Sequence, residues 1–213
     1  MNDAIADLRR EYSSQSLLES DVELHPADQF DKWWKQALKA EVEEVNAMTL
    51  ATASADGMPA ARIVLLKGYS YDGFVFFTNY NSFKAMHLEE NPRACLVFFW
   101  QELERQVRIT GIVTHVSAQD SDKYFKSRPR GSQIGAWASP QSQVIPDRAW
   151  IDQAYLEVLE KYREHDPERP PHWGGYLVKP VIMEFWQGRP SRLHDRIQYT
   201  MENGAWKIER LAP

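Results

Sequence analysis

The sequence predicts a mixed α+β chain, mainly β, built as a β-barrel decorated with helices. Three observations lead there. About six to eight segments read as strands, several of them long. The turns between them are of the kinds that join antiparallel neighbours. No regular alternation of strand and helix occurs, which argues against a doubly wound parallel sheet.

The elements follow in chain order. Ile5, Leu8 and Tyr12 recur at helical spacing, which predicts a short amphipathic helix, and polar residues 13–23 predict a mobile linker. After Pro26 the apolar residues Phe30, Trp33, Trp34, Ala37, Leu38 and Val42 fall on one helical face, opposite Asp31, Lys32, Lys35, Gln36 and Lys39. The period then changes. Residues 47–54 and 59–67 read as strands about the turn Ala55-Asp56-Gly57, and Tyr71-Asp72-Gly73 turns into the strand 74–78. A short helix over 82–90 stops at Asn91-Pro92, because proline disfavours helix in the residue before it. Two longer strands, 93–101 and 104–117, come next.

Ser117-Ala118-Gln119-Asp120 has the form of a capping box and starts a helix reaching about Ser127. Residues 128–144, rich in Gly, Ser, Gln and Pro, predict a structured loop whose Ile134 and Trp137 need a dry site. Ile151, Ala154, Tyr155, Val158, Leu159 and Tyr162 mark another long helix, and residues 167–171 a stiff proline linker. Strands over 174–179 and 181–187 follow, then a hairpin turning at Asn203-Gly204. Residues 1–25 are thus expected to be a partly mobile N-terminal segment, and 26–213 a single domain.

Composition narrows the function. At 213 residues and 43% hydrophobic, the chain can bury a sizeable core. A net charge of -5 argues against a duplex nucleic-acid binder, which needs a basic excess. Local basic clusters then read as seats for small anions. The one cysteine, Cys95, lies in an apolar run and reads as a buried thiol in a reducing compartment. The charged N-terminus and the lack of a long apolar window predict a cytoplasmic protein, with no membrane partner. No metal site is expected, because the six histidines lack ligand spacing. Phosphate-loop, dinucleotide and hydrolase-elbow motifs are missing, so any chemistry belongs to a bound organic cofactor.

Five runs carry the candidate site. In Arg62-Ile63-Val64-Leu65-Leu66-Lys67, cations bracket an apolar strand that reads as buried on both faces. Arg62 and Lys67 are an odd number apart, so a straight strand sends them to opposite faces, toward two phosphates or toward solvent. Phe77-Thr78-Asn79-Tyr80-Asn81-Ser82-Phe83-Lys84 leads a strand end into a helix N-terminus, either a phosphate seat or a plain N-cap at Ser82. In Glu104-Arg105-Gln106-Val107-Arg108, alternation pairs Gln106 with Arg108, and Gln106 can read the edge of a flavin-like ring or sit at a rim. Tyr124 and Arg128 share a helical face, and with Ser132 they offer three donors to a phosphate monoester. Arg192, His194 and Arg196 share strand parity beside Trp186, a cationic face that needs an anion to offset its repulsion.

Together these runs resemble the pyridoxine/pyridoxamine 5'-phosphate oxidase family over nearly the whole chain. Ser127-Arg128-Pro129-Arg130 through Gly135-Ala136-Trp137, Glu184-Phe185-Trp186-Gln187-Gly188 and Arg192-Leu193-His194-Asp195-Arg196 are its most specific segments. The resemblance implies a split-barrel FMN-binding fold and a homodimer with FMN at its interface. It implies oxidation of pyridoxamine or pyridoxine 5'-phosphate by O2 to pyridoxal 5'-phosphate and H2O2. By position it implies FMN contacts at Arg62, Ile63, Val64, Leu65, Leu66, Lys67, Phe77, Thr78, Lys84, Gln106, Gln141, Ser142, Trp186 and Arg196. Substrate contacts fall on Lys67, Tyr124, Arg128, Ser132, Arg192 and His194, with Arg9 and Tyr12 as a lid. Arg192 and His194 are the pair nearest the chemistry. One departure is Phe83, where the family usually has Arg before the lysine. A flavin carrier or a reductase of another substrate on the same fold is the competing class.

Overall fold

The computed structural model describes Tyr12 and residues 15–213. Among them are nine strands and five α-helices. The strands are β1 (Ala47–Ala53), β2 (Pro59–Leu65), β3 (Gly68–Ser70), β4 (Gly73–Asn79), β5 (Arg93–Trp100), β6 (Arg105–His115), β7 (Trp173–Gln187), β8 (Asp195–Glu202) and β9 (Ala205–Arg210). The helices are α1 (Pro26–Lys39), α2 (Phe83–Glu90), α3 (Ala118–Ser127), α4 (Arg130–Ala138) and α5 (Arg148–Lys161). Hydrogen bonding orders the strands β2-β1-β5-β6-β7-β4-β3, with β8 on β7 and β9 on β8. The pairs β3–β4, β4–β7, β7–β8 and β8–β9 are antiparallel, the last about the Asn203-Gly204 turn that the sequence marks.

The chain divides into two compact units. Unit 1 holds the described residues up to Thr49, with Cys95–Thr110 and Pro180–Pro213; unit 2 holds Leu50–Ala94 and Gly111–Lys179. In unit 1, α1 starts at His25, whose ring Nδ1 accepts from the Ala27 N–H, and Pro26 occupies the first turn, where its missing N–H costs nothing. The helix buries Phe30, Trp33 and Ala37. Phe30 lies 5.3 Å from Phe98, and Trp33 meets Phe185 edge-on at 5.2 Å. Residues 15–23, expected as a mobile linker, are hydrogen-bonded instead. Leu17 is buried, its N–H donates to Asp195 Oδ2 (3.0 Å), and Arg210 Nη2 donates to its carbonyl (2.8 Å). The β8–β9 hairpin turns at Asn203 (φ 51°) and Gly204 (φ 85°), the paired left-handed conformations a two-residue hairpin requires.

Unit 2 departs from expectation in three places. Residues 130–138, read as loop, are helix α4. Gly131 and Gly135 hide it in the sequence, but Gln133, Ile134 and Ala138 are buried and fix the segment. Gln133 Nε2 also lies 3.0–3.2 Å from the last carbonyls of the α3 segment, at Phe125, Lys126 and Arg128. The two strands expected around Pro180 are the single β7, because its β4 ladder ends at Val178 and its β8 ladder starts at Ile182. Pro180 falls between those two ladders. Finally, β2 is not buried on both faces: Ile63 is 65% exposed and Leu65 39%. Ile63 and Leu65 share one face of the strand with Pro59 and Ala61, and among the described residues that face is uncovered. Cys95 is half-buried rather than sealed in the core. No helix among the described residues is long and apolar enough to cross a membrane.

Candidate functional site

In unit 2 the ends of several elements converge on a cavity of about 550 Å³. β2 brings Arg62, Ile63, Val64 and Leu65, and the residues after it add Lys67. β4 brings Phe77 and Thr78, and the first turn of α2 brings Lys84. Tyr124, Ser127, Arg128, Pro129 and Ser132 come from the α3–α4 junction, Gln141 from beyond α4, and Trp173 from the start of β7. Strand parity set Arg62 and Lys67 on opposite faces. Both line this one cavity because β2 ends at Leu65 and Leu66 turns inward, buried at 5% exposure.

Four cations line the cavity, and among its described lining residues there is no carboxylate. Arg62 Nη1 donates to the Leu50 carbonyl (3.1 Å) and Thr52 Oγ1 (2.8 Å), and burial pushes its pKa down. Lys84 Nζ donates to Gln141 Oε1 (2.9 Å), Thr78 Oγ1 (3.1 Å) and Ser82 Oγ (3.3 Å), all neutral. Desolvation, helped by the Arg62 charge, holds Lys84 down at about 8. Ser82 stands at the N-cap position of α2 without capping through its side chain. Its hydroxyl donates instead to the Asn79 carbonyl at 2.6 Å.

Arg128 lies with its guanidinium carbon 4.6 Å from the Trp173 ring centre, and its Nη1 is buried without a hydrogen-bond partner. Burial lowers its pKa, while the Tyr124 hydroxyl acts the other way. An unpartnered buried N–H costs about 1–3 kcal/mol, more when charged. A cation-lined cavity with such a group therefore has the chemistry of a phosphate seat. Its aromatic wall is built by Tyr124 stacked on Phe77 (4.1 Å, 23°) and Phe77 on Trp173 (5.5 Å, 11°). A smaller cavity of about 230 Å³ shares Arg128, Ser132, Gln141 and Trp173 with it. Trp173 was not anticipated from the sequence; its signal is the start of a strand at Trp-Gly-Gly just after the proline linker.

Unit 1 carries a second cluster. Glu184 on β7 is 3% exposed and receives Arg196 through two bonds, Nε to Oε1 (2.9 Å) and Nη2 to Oε2 (3.2 Å). Arg108 donates to the same carboxylate. The expected cationic face therefore has an internal counter-ion, which the sequence reading passed over. Only Arg196 of the three lies on β8. Arg192 sits in a 3-10 turn at φ 63°, after Ser191 at φ 57°, so strand parity does not place it. Such left-handed conformations are costly for residues with a Cβ. His194 packs 4.5 Å from the Trp186 ring, and its Nδ1 accepts the Arg189 N–H (3.1 Å). In the neutral ring that bond leaves the proton on Nε2. Burial first, and the Arg192 charge second, lower the His194 pKa and favour that neutral form. Tyr12 meets Trp186 and His194 edge-on at 5.7 and 6.0 Å.

Of the remaining sequence candidates, Gln106 shares a face of β6 with Arg108. Ser142 is exposed at φ 71° and, like Leu66, is not among the residues lining the large cavity. Arg9 lies outside the described residues.

Comparison with known proteins gives a consistent picture. Residues 34–162 match the family model described as pyridoxamine 5'-phosphate oxidase. Residues 173–213 match the pyridoxine 5'-phosphate oxidase C-terminal dimerisation region. The chain is 55% identical to a pyridoxine/pyridoxamine 5'-phosphate oxidase of Cyanothece sp., covering 100% of both chains. It is 57% identical to one from Bordetella petrii, over 99% of this chain and 100% of that one. Among solved structures, PhzG from Burkholderia lata, in complex with tetrahydrophenazine-1-carboxylic acid, superposes with a TM-score of 0.89 at 30% identity, covering 94% of this chain and 100% of that one. A pyridoxamine 5'-phosphate oxidase-related, FMN-binding protein from Nostoc punctiforme superposes with a TM-score of 0.68 at 19% identity, covering 93% and 100%. That likeness gives the fold, the mixed α+β split barrel that the sequence predicts.

Proposed function

The chain belongs to the pyridoxamine 5'-phosphate oxidase family, and on that premise we propose that it binds FMN and oxidises pyridoxamine or pyridoxine 5'-phosphate with O2. Pyridoxal 5'-phosphate and H2O2 are the products; the amine substrate also consumes water and releases ammonia. As a member of the family the chain is a flavin-binding oxidoreductase; the particular flavin, substrate and acceptor are our reading. One observation carries it: four cations without a carboxylate surround the unit 2 cavity, and one of them buries an N–H that has no partner. Two phosphorylated ligands would supply the missing anions.

In this reading Arg62 and Lys84, with the Thr78 hydroxyl and the Gln141 amide, hold the FMN phosphate. Arg128, Tyr124, Ser132 and Lys67 hold the substrate phosphate. Each charge-assisted bond contributes roughly 1.5–3 kcal/mol, enough together to fix a small substrate in register. FMN held there would supply a two-electron acceptor for the substrate C4' carbon, with O2 as the final acceptor. For the other assigned residues the support is the family resemblance: Ile63, Val64, Leu65, Leu66, Phe77, Gln106, Ser142, Trp186 and Arg196 toward the flavin, Arg192 and His194 toward the substrate ring, and Arg9 with Tyr12 as lid. A neutral His194 with its proton on Nε2 donates a hydrogen bond without adding a second charge beside Arg192.

The C-terminal match supports a homodimer, and the exposed apolar side chains Ile63, Leu65, Phe83 and Met86 of unit 2 are surface that a second copy would cover. A cytoplasmic setting agrees with the single cysteine. The test is direct. The purified protein, reconstituted with FMN, should be yellow, release FMN on denaturation, and form H2O2 when pyridoxamine 5'-phosphate is added under air. A colourless protein after reconstitution overturns the reading. A yellow one inert to both substrates would favour the flavin carrier or a reductase of another substrate.

A further inference from the structure

Gly188 follows the last residue of β7, and its backbone is pinned. Its N–H donates to the Glu104 carbonyl at 2.8 Å. The Gln187 side chain, fully buried beside it, donates to the carbonyls of Leu103 (3.1 Å) and Glu104 (3.3 Å) and accepts from Arg105 Nε (2.8 Å). The φ of Gly188 is outside the left-handed range, so conformation does not demand glycine there. Space does. A methyl group on its Cα would lie 2.7 Å from both Cβ and Cγ of Tyr12, and 3.1 Å from Glu104 Cβ. Those Tyr12 atoms sit at the root of the side chain, so a rotamer change cannot clear the clash; the Tyr12 backbone would have to leave.

Gln15 and Leu17 are held by groups from the same turn. Asp195, next to His194, accepts the Leu17 N–H (3.0 Å), and Arg189, next to Gly188, donates to the Gln15 carbonyl (3.1 Å). Arg105 adds a bond to the Gln15 side chain, and Arg210 clasps the Leu17 carbonyl (2.8 Å) and Glu19. Two of these bonds fix backbone atoms from the Gly188–Asp195 turn itself, which carries Arg192 and His194. Gln15 and Leu17 are thereby indexed to the turn, and the bare Cα of Gly188 sets how closely Tyr12 lies against Trp186 and His194.

We infer that Gly188 is a positioning residue, the seat that docks Tyr12 over His194 and Trp186. The seat stands on packing alone. Its consequence for catalysis rests on the reading of Arg192 and His194 given above.

A double-mutant cycle of Gly188→Ala with Tyr12→Gly, which removes both clashing atoms, tests it in two separate readouts. In urea unfolding, Gly188→Ala should lower the midpoint in the wild-type background and add almost nothing in the Tyr12→Gly background. In the FMN-loaded enzyme, Gly188→Ala should raise KM for pyridoxamine 5'-phosphate by about tenfold with kcat within about twofold and flavin content unchanged, again only when Tyr12 is present. If Gly188→Ala fails to fold but the double variant folds, the seat is supported. Equal midpoint shifts in both backgrounds, or failure of both variants to fold, overturn it. Coupled midpoints in a protein that does not oxidise the substrate would leave the seat standing and remove the proposed reaction. An active enzyme with additive shifts would do the reverse.

Discussion

Replacing Lys84 by Met, and separately raising the pH on the native protein, probes the phosphate seat most sharply. The Lys84 ammonium is held by three neutral oxygens and pushed down to about 8 by desolvation and by Arg62. A phosphate dianion beside it favours the charged form and raises that value. Above pH 8, binding must therefore take up a proton, and affinity falls as the pH rises. For one proton, going from pH 7 to 9.5 weakens binding by at most about 30-fold, reduced to about 10-fold because Lys84 is partly exposed and water screens it. The same depression costs the ligand-free protein stability below pH 8. That cost is relieved as the pH climbs toward the ordinary lysine value. The assay is quenching of FMN fluorescence on titration with ligand-free protein at several pH values. Lys84→Met should bind about 10–100-fold more weakly at pH 7 and lose the alkaline slope. Lys84→Arg, charged throughout, should lose the slope while keeping most of the affinity. A native Kd that stays flat from pH 7 to 9.5, or an undiminished slope in Lys84→Met, would refute the assignment.

Three further outcomes are expected. Phe83→Arg should tighten FMN binding about fivefold in the same titration, an amount limited by the 47% exposure of this position. Glu184→Gln should lower unfolding free energy by about 2 kcal/mol in urea, because it strands Arg108 and Arg196 beside a neutral group, although both arginines keep some solvent. Arg192→Leu should reduce kcat by about 100-fold or more while flavin content holds; equal loss of both would make Arg192 a flavin contact instead.

The sequence was most legible where one local rule decides the structure. The α1 face was visible because Phe30, Trp33 and Ala37 repeat at helical spacing, and Asn203-Gly204 marked its hairpin because few other pairs tolerate two left-handed residues. It misled where a tertiary partner overrides the local signal. Gly131 and Gly135 argue for loop until Gln133 and Ile134 are seen to be buried. Pro180 argues for a break until it is seen to lie between the β4 and β8 ladders of one continuous strand. An apolar run at Ile63–Leu66 looks like core in a lone chain, yet half of it faces outward. In the candidate site, the spacing of Tyr124, Arg128 and Ser132 was enough to foresee their convergence. Trp173 was missed because Phe77, Tyr124 and Arg128, which it packs against, lie far away in sequence. Glu184 was missed as a counter-ion although Arg196 lies only 12 positions on, because no strand pairing was assigned that would bring the two together.

Unit 1 is stitched from three stretches of sequence, and some of its closures span nearly the entire chain. Tyr199 donates its hydroxyl to the Glu23 carbonyl across 176 positions, and Arg210 pairs with Glu19 across 191. During translation, residues 19–23 must wait for residues 199–210 before these bonds can form. Until β7 follows, Trp33 of α1 lacks Phe185, the ring it meets edge-on. Such non-local closure slows folding and leaves apolar surface open in the meantime. Loss of the β8–β9 hairpin would leave Leu17, Glu19 and Glu23 without these bonds as well.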